Sequence, residues 1–315
     1  MRNYIVDLST NGSGLPAACS CFIVISDPST PSESDYPPHS LPIISSIVSQ
    51  ILEHTEVPIA SPILDTSLST VPYHFLLSPA SPISSSDIIP LSVARRSGAL
   101  SPQDLVLVDL QIGKLLGQLH NGVQNEWFGV PSLEEPADPS YSWQETFTSL
   151  LESLLSEFEI KGIDLPYTEI RGYLSRAIGF FLFDDVDTPS LIWFTGSEDD
   201  IYVSLPSDAG SKNIGIAAIL PNVGHAIWGD PLLESFFLPP NPSVAFQEAY
   251  TSSGGKQTVV FPRQKTKRLW YSLFLGLIVL RERGGVRKSD GIINETWALQ
   301  LIEQSVKALS NAPCY

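Results

Sequence analysis

The hydrophobic pattern changes its period once, close to residue 100, and that change limits what the chain can fold into. Before it, short apolar runs at Tyr4–Leu8, Cys21–Ser26 and His74–Leu77 are separated by Pro- and Ser-rich stretches, which is the pattern of strands and turns. A single helical stretch interrupts them at Leu41–His54, with Ile44, Ile47, Val48 and Ile51 on one face. After it, the apolar spacing is helical. Pro102 opens a helix carrying Val108, Ile112, Leu115, Leu116 and Leu119. Further helices are predicted at Trp143–Phe158, Ile170–Phe181, Thr266–Arg283 and Asn294–Ser310. Within this helical part, LIWFTGSEDDIYV (191–203) reads as strand, polar loop and strand, and Ile214–Leu220 as another strand. A small strand-rich part before a larger helical part predicts an α+β, bilobal architecture. Residues 1–95 would form the smaller lobe and 96–315 the larger, with the division near 90–102. Ligands are then expected in the cleft between them.

The chain has 315 residues, is 43% hydrophobic and carries a formal net charge of −16. That charge argues against nucleic acid and anionic membranes as partners, because both need a basic face. The most apolar late stretch, LWYSLFLGLIVL (269–280), falls short of the roughly 20 residues that span a bilayer. It reads as a buried helix. MRNYIVDLST, at the start, has no long apolar run of the signal-peptide kind, so a cytoplasmic protein is expected. Cys19, Cys21 and Cys314 form no disulfide framework, and a CxC pair without a second cluster is a weak metal signal. Asn294-Glu295-Thr296 fits a glycosylation sequon but suits a helix N-cap better.

Three blocks then carry a resemblance. LGQLHNGVQNEWFG (116–129), DDVDTPSL (184–191) and AIWGDPLLESFF (226–237) resemble segments of the aminoglycoside phosphotransferase and choline kinase-like family, the last two its fungal branch. The resemblance covers about residues 40–282. It implies a protein-kinase-like fold and ATP- and magnesium-dependent phosphorylation of small molecules. That chemistry needs a strand lysine on the phosphates, an acidic partner for it, a catalytic aspartate, and Asn and Asp on the metal.

The chain departs from the family at each of these points. Its first lysine is Lys114, already in the helical part. Val24 and Ile25 stand where the phosphate-binding lysine is expected, and Ile43 and Ile44 near the position of its acidic partner. Against the family pattern LVHxDLxxGNIxV, Trp193 replaces the histidine, Thr195 the catalytic aspartate, and Asp200 the metal-binding asparagine. Against IDxExAxWGDP, Asn222 replaces the aspartate and Gly224 the acid after it. No histidine begins an HxD triplet. A threonine lacks the carboxylate that accepts a hydroxyl proton.

The expectation is therefore a kinase-fold protein that has lost phosphotransfer, uses no cofactor, and binds a small-molecule substrate or metabolite. One form of it is an enzyme of cyclisation, isomerisation or elimination type in specialised metabolism, since such chemistry can work by positioning. A non-catalytic pseudokinase and an atypical phosphotransferase using Asp200 and Asn222 are the alternatives. The candidate catalytic residues are His225, which can exchange a proton near neutral pH, and Asp200, which could orient it or bind a substrate cation. Trp193, Phe194, Thr195 and Asn222 are the candidate substrate-binding residues. Each also has an ordinary reading. Glu198, Asp199 and Asp200 suit a solvated turn, Trp193 and Phe194 suit a core strand, and His225 suits a scaffold. His120 and Asp230 are read as structural.

Overall fold

A computed structural model describes residues 1–8, 19–27, 36–80, 83, 87–193, 197–205, 214–237, 242–256, 261–283 and 295–313. Phe194, Thr195 and Asn294 lie outside the described residues. Strands β1 (Arg2–Leu8), β2 (Cys19–Ser26), β3 (Ile63–Asp65) and β4 (His74–Pro79) form an antiparallel sheet in the order β1-β2-β4-β3. Helix α1 (Leu41–His54) lies between β2 and β3 in the chain. Its buried residues Leu41, Ile44, Ile47, Val48 and Ile51 recur at helical spacing and join Val24 and Leu76 of the sheet in one core.

Next come β5 (Ile88–Pro90) and α2 (Leu91–Ser97), which closes on Gly98 in the left-handed region. Helix α3 (Pro102–Gly122) begins with a capping box. Ser101 Oγ accepts from the Asp104 N–H, and Asp104 Oδ2 accepts from the Ser101 N–H. Helices α4 (Trp143–Ile160) and α5 (Tyr167–Gly179) follow. The chain continues through β6 (Ser190–Ile192), β7 (Ile201–Ser204), β8 (Gly215–Ile219), β9 (Ile227–Gly229), α6 (Val244–Ser252), α7 (Pro262–Arg283) and α8 (Glu295–Leu309).

The predicted α+β class holds. The strands within the helical part do not pair with their neighbours in sequence throughout. β6 pairs with β9, whereas β7 sits between β5 and β8. The acidic loop at 197–200 therefore passes the chain from one small sheet to another. The helix predicted at Ile170–Phe181 ends earlier than Phe181: α5 stops at Gly179, and Phe181 takes φ 53°, a costly conformation for a bulky residue. The apolar stretch 269–280 is a buried helix, with Trp270, Leu273, Phe274, Leu277 and Ile278 all in the second core. No helix among the described residues is long and apolar enough to cross a membrane.

Helices α3 and α6 pack closely because glycine lets them. A Cβ added to Gly113 would lie 2.3 Å from the Phe246 carbonyl oxygen, and one on Gly117 would lie 2.5 Å from that of Tyr250. Since the obstacle at Gly113 is backbone, Gly113→Ala must push the two helices apart. The expected cost is about 1–3 kcal/mol in urea denaturation, and an unchanged midpoint would contradict this packing.

Candidate active site

The three sequence blocks converge on one place. Gly129 and Trp228 exchange backbone hydrogen bonds of 2.9 and 2.8 Å. Ser190 pairs with Gly229 across β6 and β9, and its hydroxyl donates to the His120 carbonyl at 2.7 Å. Beneath them lies a set of buried charges. Asp230 accepts from the Leu232 N–H at 2.9 Å, the Tyr271 hydroxyl at 2.8 Å and the Lys267 ammonium at 2.5 Å. Burial alone would raise the Asp230 carboxyl; Lys267 and these donors hold it below its ordinary value. Lys267 also meets Asp185 at 2.7 Å. Burial works against its charge, but the two carboxylates raise its pKa. Asp230 and His120 thus brace the scaffold, as their sequence context indicated.

Glu234 links this set to the loop above it. It is fully buried, accepts from the Trp193 backbone N–H at 2.9 Å and stands 3.6 Å from His120 Nε2. Arg268 donates to the Leu232 and Glu234 carbonyls, so α7 holds the same turn from below. Trp193 is in turn fastened at both ends, since its indole N–H donates to the Asn222 carbonyl at 3.1 Å.

Trp193, Asp200 and Asn222 are consequently brought together. Asp200 is half-buried where the loop enters β7. Its Oδ2 accepts from the Ser197 N–H at 3.1 Å, the Ser197 hydroxyl at 3.4 Å and the Asn222 amide at 3.4 Å. Burial raises its pKa to about 6, with the Asp199 charge adding to that and the three donors opposing it. The acidic triplet is split by its contacts. Glu198 pairs with Arg95 at 2.9 Å, Arg95 also holds Asp109 at 2.5 Å, and Asp199 accepts from the Ser92 hydroxyl. Helices α2 and α3 thereby dock the loop. Among the described residues, no three His, Cys, Asp or Glu side chains are grouped to hold a metal ion.

His225 lies in the same 221–226 segment as Asn222 but has different partners. Its Nε2 is 3.5 Å from Glu282 Oε1 near the end of α7, its ring meets Tyr36 edge-on, and its carbonyl accepts from the Tyr36 hydroxyl at 2.5 Å. Nδ1 is buried without a hydrogen-bond partner. Burial would raise the Glu282 carboxyl, yet His225 and Arg281 lower it overall. The carboxylate beside His225 is therefore Glu282, and Asp200 belongs to the Trp193–Asn222 group. Glu234, Lys267 and Glu282 were not singled out in the sequence. Glu234 is visible there only as the last residue of the WGDPLLE run.

An apolar slot opens beside Asp200, between α3, the loop and β7. Val57, Ile112, Leu116, Leu119, Trp193 and Ile201 line it. Its cavity volume is about 30 Å³, a space on the scale of a few water molecules at most.

No protein-family model matches the sequence, and no curated protein matches it. Solved structures do match its fold. A protein from Ralstonia eutropha assigned as an aminoglycoside phosphotransferase superposes with a TM-score of 0.59 at 11% identity, covering 99% of this chain and 94% of that one. One from Haemophilus somnus assigned as a fructosamine-3-kinase gives 0.53 at 14% identity, covering 97% and 90%. The chain has the bilobal, aminoglycoside phosphotransferase-like kinase fold.

The raised Asp200 pKa has a thermodynamic consequence. The fold binds a proton at Asp200 that the unfolded chain releases between its ordinary pKa of 3.8 and about 6. Asp200 therefore costs stability as pH rises through that window, and the cost is constant above it. The difference in melting temperature between Asp200→Asn and wild type is expected to move in the variant's favour by a few degrees from pH 4 to pH 7, then level off. A pH-independent difference would contradict the assignment.

Proposed function

We propose that this chain is a kinase-fold protein that has lost ATP-dependent phosphotransfer and now acts on a small molecule. The carrying observation concerns the positions where the resemblance expects a lysine and its acidic partner. Val24 and Ile44 there are 2% and 1% exposed and belong to one apolar core. A triphosphate brought to that surface would meet no cation from either residue and would have to shed its hydration. The residues present do not fit MgATP, and no step is assigned to it. Lys114, the first lysine, pairs instead with Glu56 at the surface, 2.5 Å away. Arg95 is committed to Asp109 and Glu198.

The anchoring of the loop supports a retained function more than decay. Glu234 holds the backbone at Trp193, and Arg95 and Ser92 hold the acidic turn, so the described residues on either side of the loop are anchored. On this reading the 1–95 and 96–315 lobes still frame a substrate cleft. The reaction is of the kind that positioning and one proton transfer accomplish: a cyclisation, isomerisation or elimination in specialised metabolism. Asp200, poised near neutrality, and His225, beside Glu282, are the groups that would move the proton. Trp193, Asn222, Phe194 and Thr195 would contact substrate. The small enclosed volume of the slot favours a second reading, a pseudokinase that binds a metabolite or a partner protein without turning it over.

The test is genetic and chemical together. Deleting the gene in its native host should abolish one metabolite, wild-type complementation should restore it, and Asp200→Ala or His225→Ala should lower its output at least tenfold while cooperative melting curves show both variants folded. Full output from both variants would move the function away from this cleft and favour the binding reading.

A further inference from the structure

A second concavity lies between α5 and α8 and shares no lining residue with the slot beside Asp200. It is a groove of about 540 Å³. Its floor is apolar. Leu165, just before α5, and Ile302 and Val306 of α8 are buried, with Tyr173 of α5 half-buried beside them. Leu299, one turn before Ile302, carries the floor into solvent and is 41% exposed. The rim is charged on both sides. Asp164 and Glu169 stand on the α5 side and Glu303 on the α8 side, against a single ammonium, Lys307. None of the three carboxylates has an ion pair among the described residues. The nearby guanidiniums are engaged elsewhere. Arg171 pairs with Glu152 and Glu159, and Arg176 donates to the Leu309 carbonyl and lies over the Tyr173 ring.

We propose that this groove docks a basic amphipathic helix of a partner protein. The helix lays its apolar stripe on Leu165, Leu299, Ile302 and Val306 and sets lysine or arginine side chains against Asp164, Glu169 and Glu303. Spacing, backbone and charge choose that occupant. On α8 the floor recurs at 299, 302 and 306 and the rim at 303 and 307, the i, i+3 and i+4 rows that interlock with a second helix. The walls are helical apart from the 164–166 connection, and no strand edges the groove. An extended peptide would leave its backbone groups unpaired on the apolar floor, whereas a helix satisfies its own. Acid on both sides of an apolar floor is the complement of an apolar stripe flanked by cations. A compact cation would satisfy the carboxylates and leave the floor in water, and an anionic helix would meet like charge on both walls. Leu299 to Lys307 spans about 12 Å at roughly 1.5 Å per residue, a short contact that suits weak, salt-sensitive docking. The docking is separate from whatever chemistry the cleft performs.

A model peptide of leucine and lysine, with its leucines on one helical face, serves as the probe, and the same peptide with glutamate for lysine as its control. Titrated calorimetrically into the full chain at low salt, the lysine peptide is expected to bind in the micromolar range, at least tenfold tighter than the glutamate peptide. Reversing the rim charge in the double variant Glu169→Lys, Glu303→Lys should cost the lysine peptide at least tenfold. The same change of net charge made elsewhere on the surface, Glu135→Lys with Glu248→Lys, should cost it a few-fold at most. Leu299→Ser, which leaves every charge in place, should weaken it about fivefold. Melting curves verify that the variants fold. Equal losses in the two double variants, or binding indifferent to Leu299→Ser, would reduce the effect to bulk charge and overturn the groove as a docking site. Spermidine binding as tightly as the peptide would overturn the helix as its occupant. So would a dimer of the chain alone that Leu299→Ser disperses in sedimentation.

Discussion

One buried carboxylate carries the architecture of the cleft. Glu234 is wholly out of water, and a charge in that position survives only if it is fully engaged. It accepts from the Trp193 N–H, stands beside His120 of α3, and belongs to a turn whose carbonyls are held by Arg268 of α7. One residue thus ties β6, α3 and α7 to the start of the loop. The neighbouring Asp230–Lys267–Asp185 set does the same for the segment before β6. Loops that carry chemistry need such fixed supports, because small displacements of a reacting group are costly. Here the support lies beneath the Trp193–Asp200 segment.

Apolar contact fills the positions where the sequence resemblance expects an ion pair. Val24, Ile44 and Leu76 close the small lobe's core where an ion pair would have drawn in a polyanion. The remaining polar groups near the loop form short local pairings, Asp200 with Ser197 and Asn222 and His225 with Glu282, in place of one convergent cluster. The chain's net charge of −16 works against long-range attraction of a polyanion.

Much of the fold was legible because long amphipathic helices declare themselves. The faces of α1, α3 and α4 were readable from apolar spacing alone, and Pro102 opens α3 as expected. The short elements were not. β3, β5 and β9 have three residues each, too few to show a period, and their existence depends on partners distant in the chain. The same limit applies to the site. Asp200, Asn222 and Trp193 were visible as departures from the motif pattern of the family that the sequence resembles. Glu234 acts on a residue 41 positions away and Lys267 on one 82 positions away, so neither role follows from local sequence. The partner of His225 was missed for the same reason, since Glu282 reaches it from the far end of α7.

The central claim is that this kinase-fold cleft no longer takes a nucleotide, and the most direct measurement is isothermal titration calorimetry of the purified full-length chain with ATP in excess magnesium. The account predicts no binding in the micromolar range and no ATP consumption when small-molecule acceptors are added. Stoichiometric micromolar binding, or ATP turnover coupled to phosphorylation of an acceptor, would contradict it.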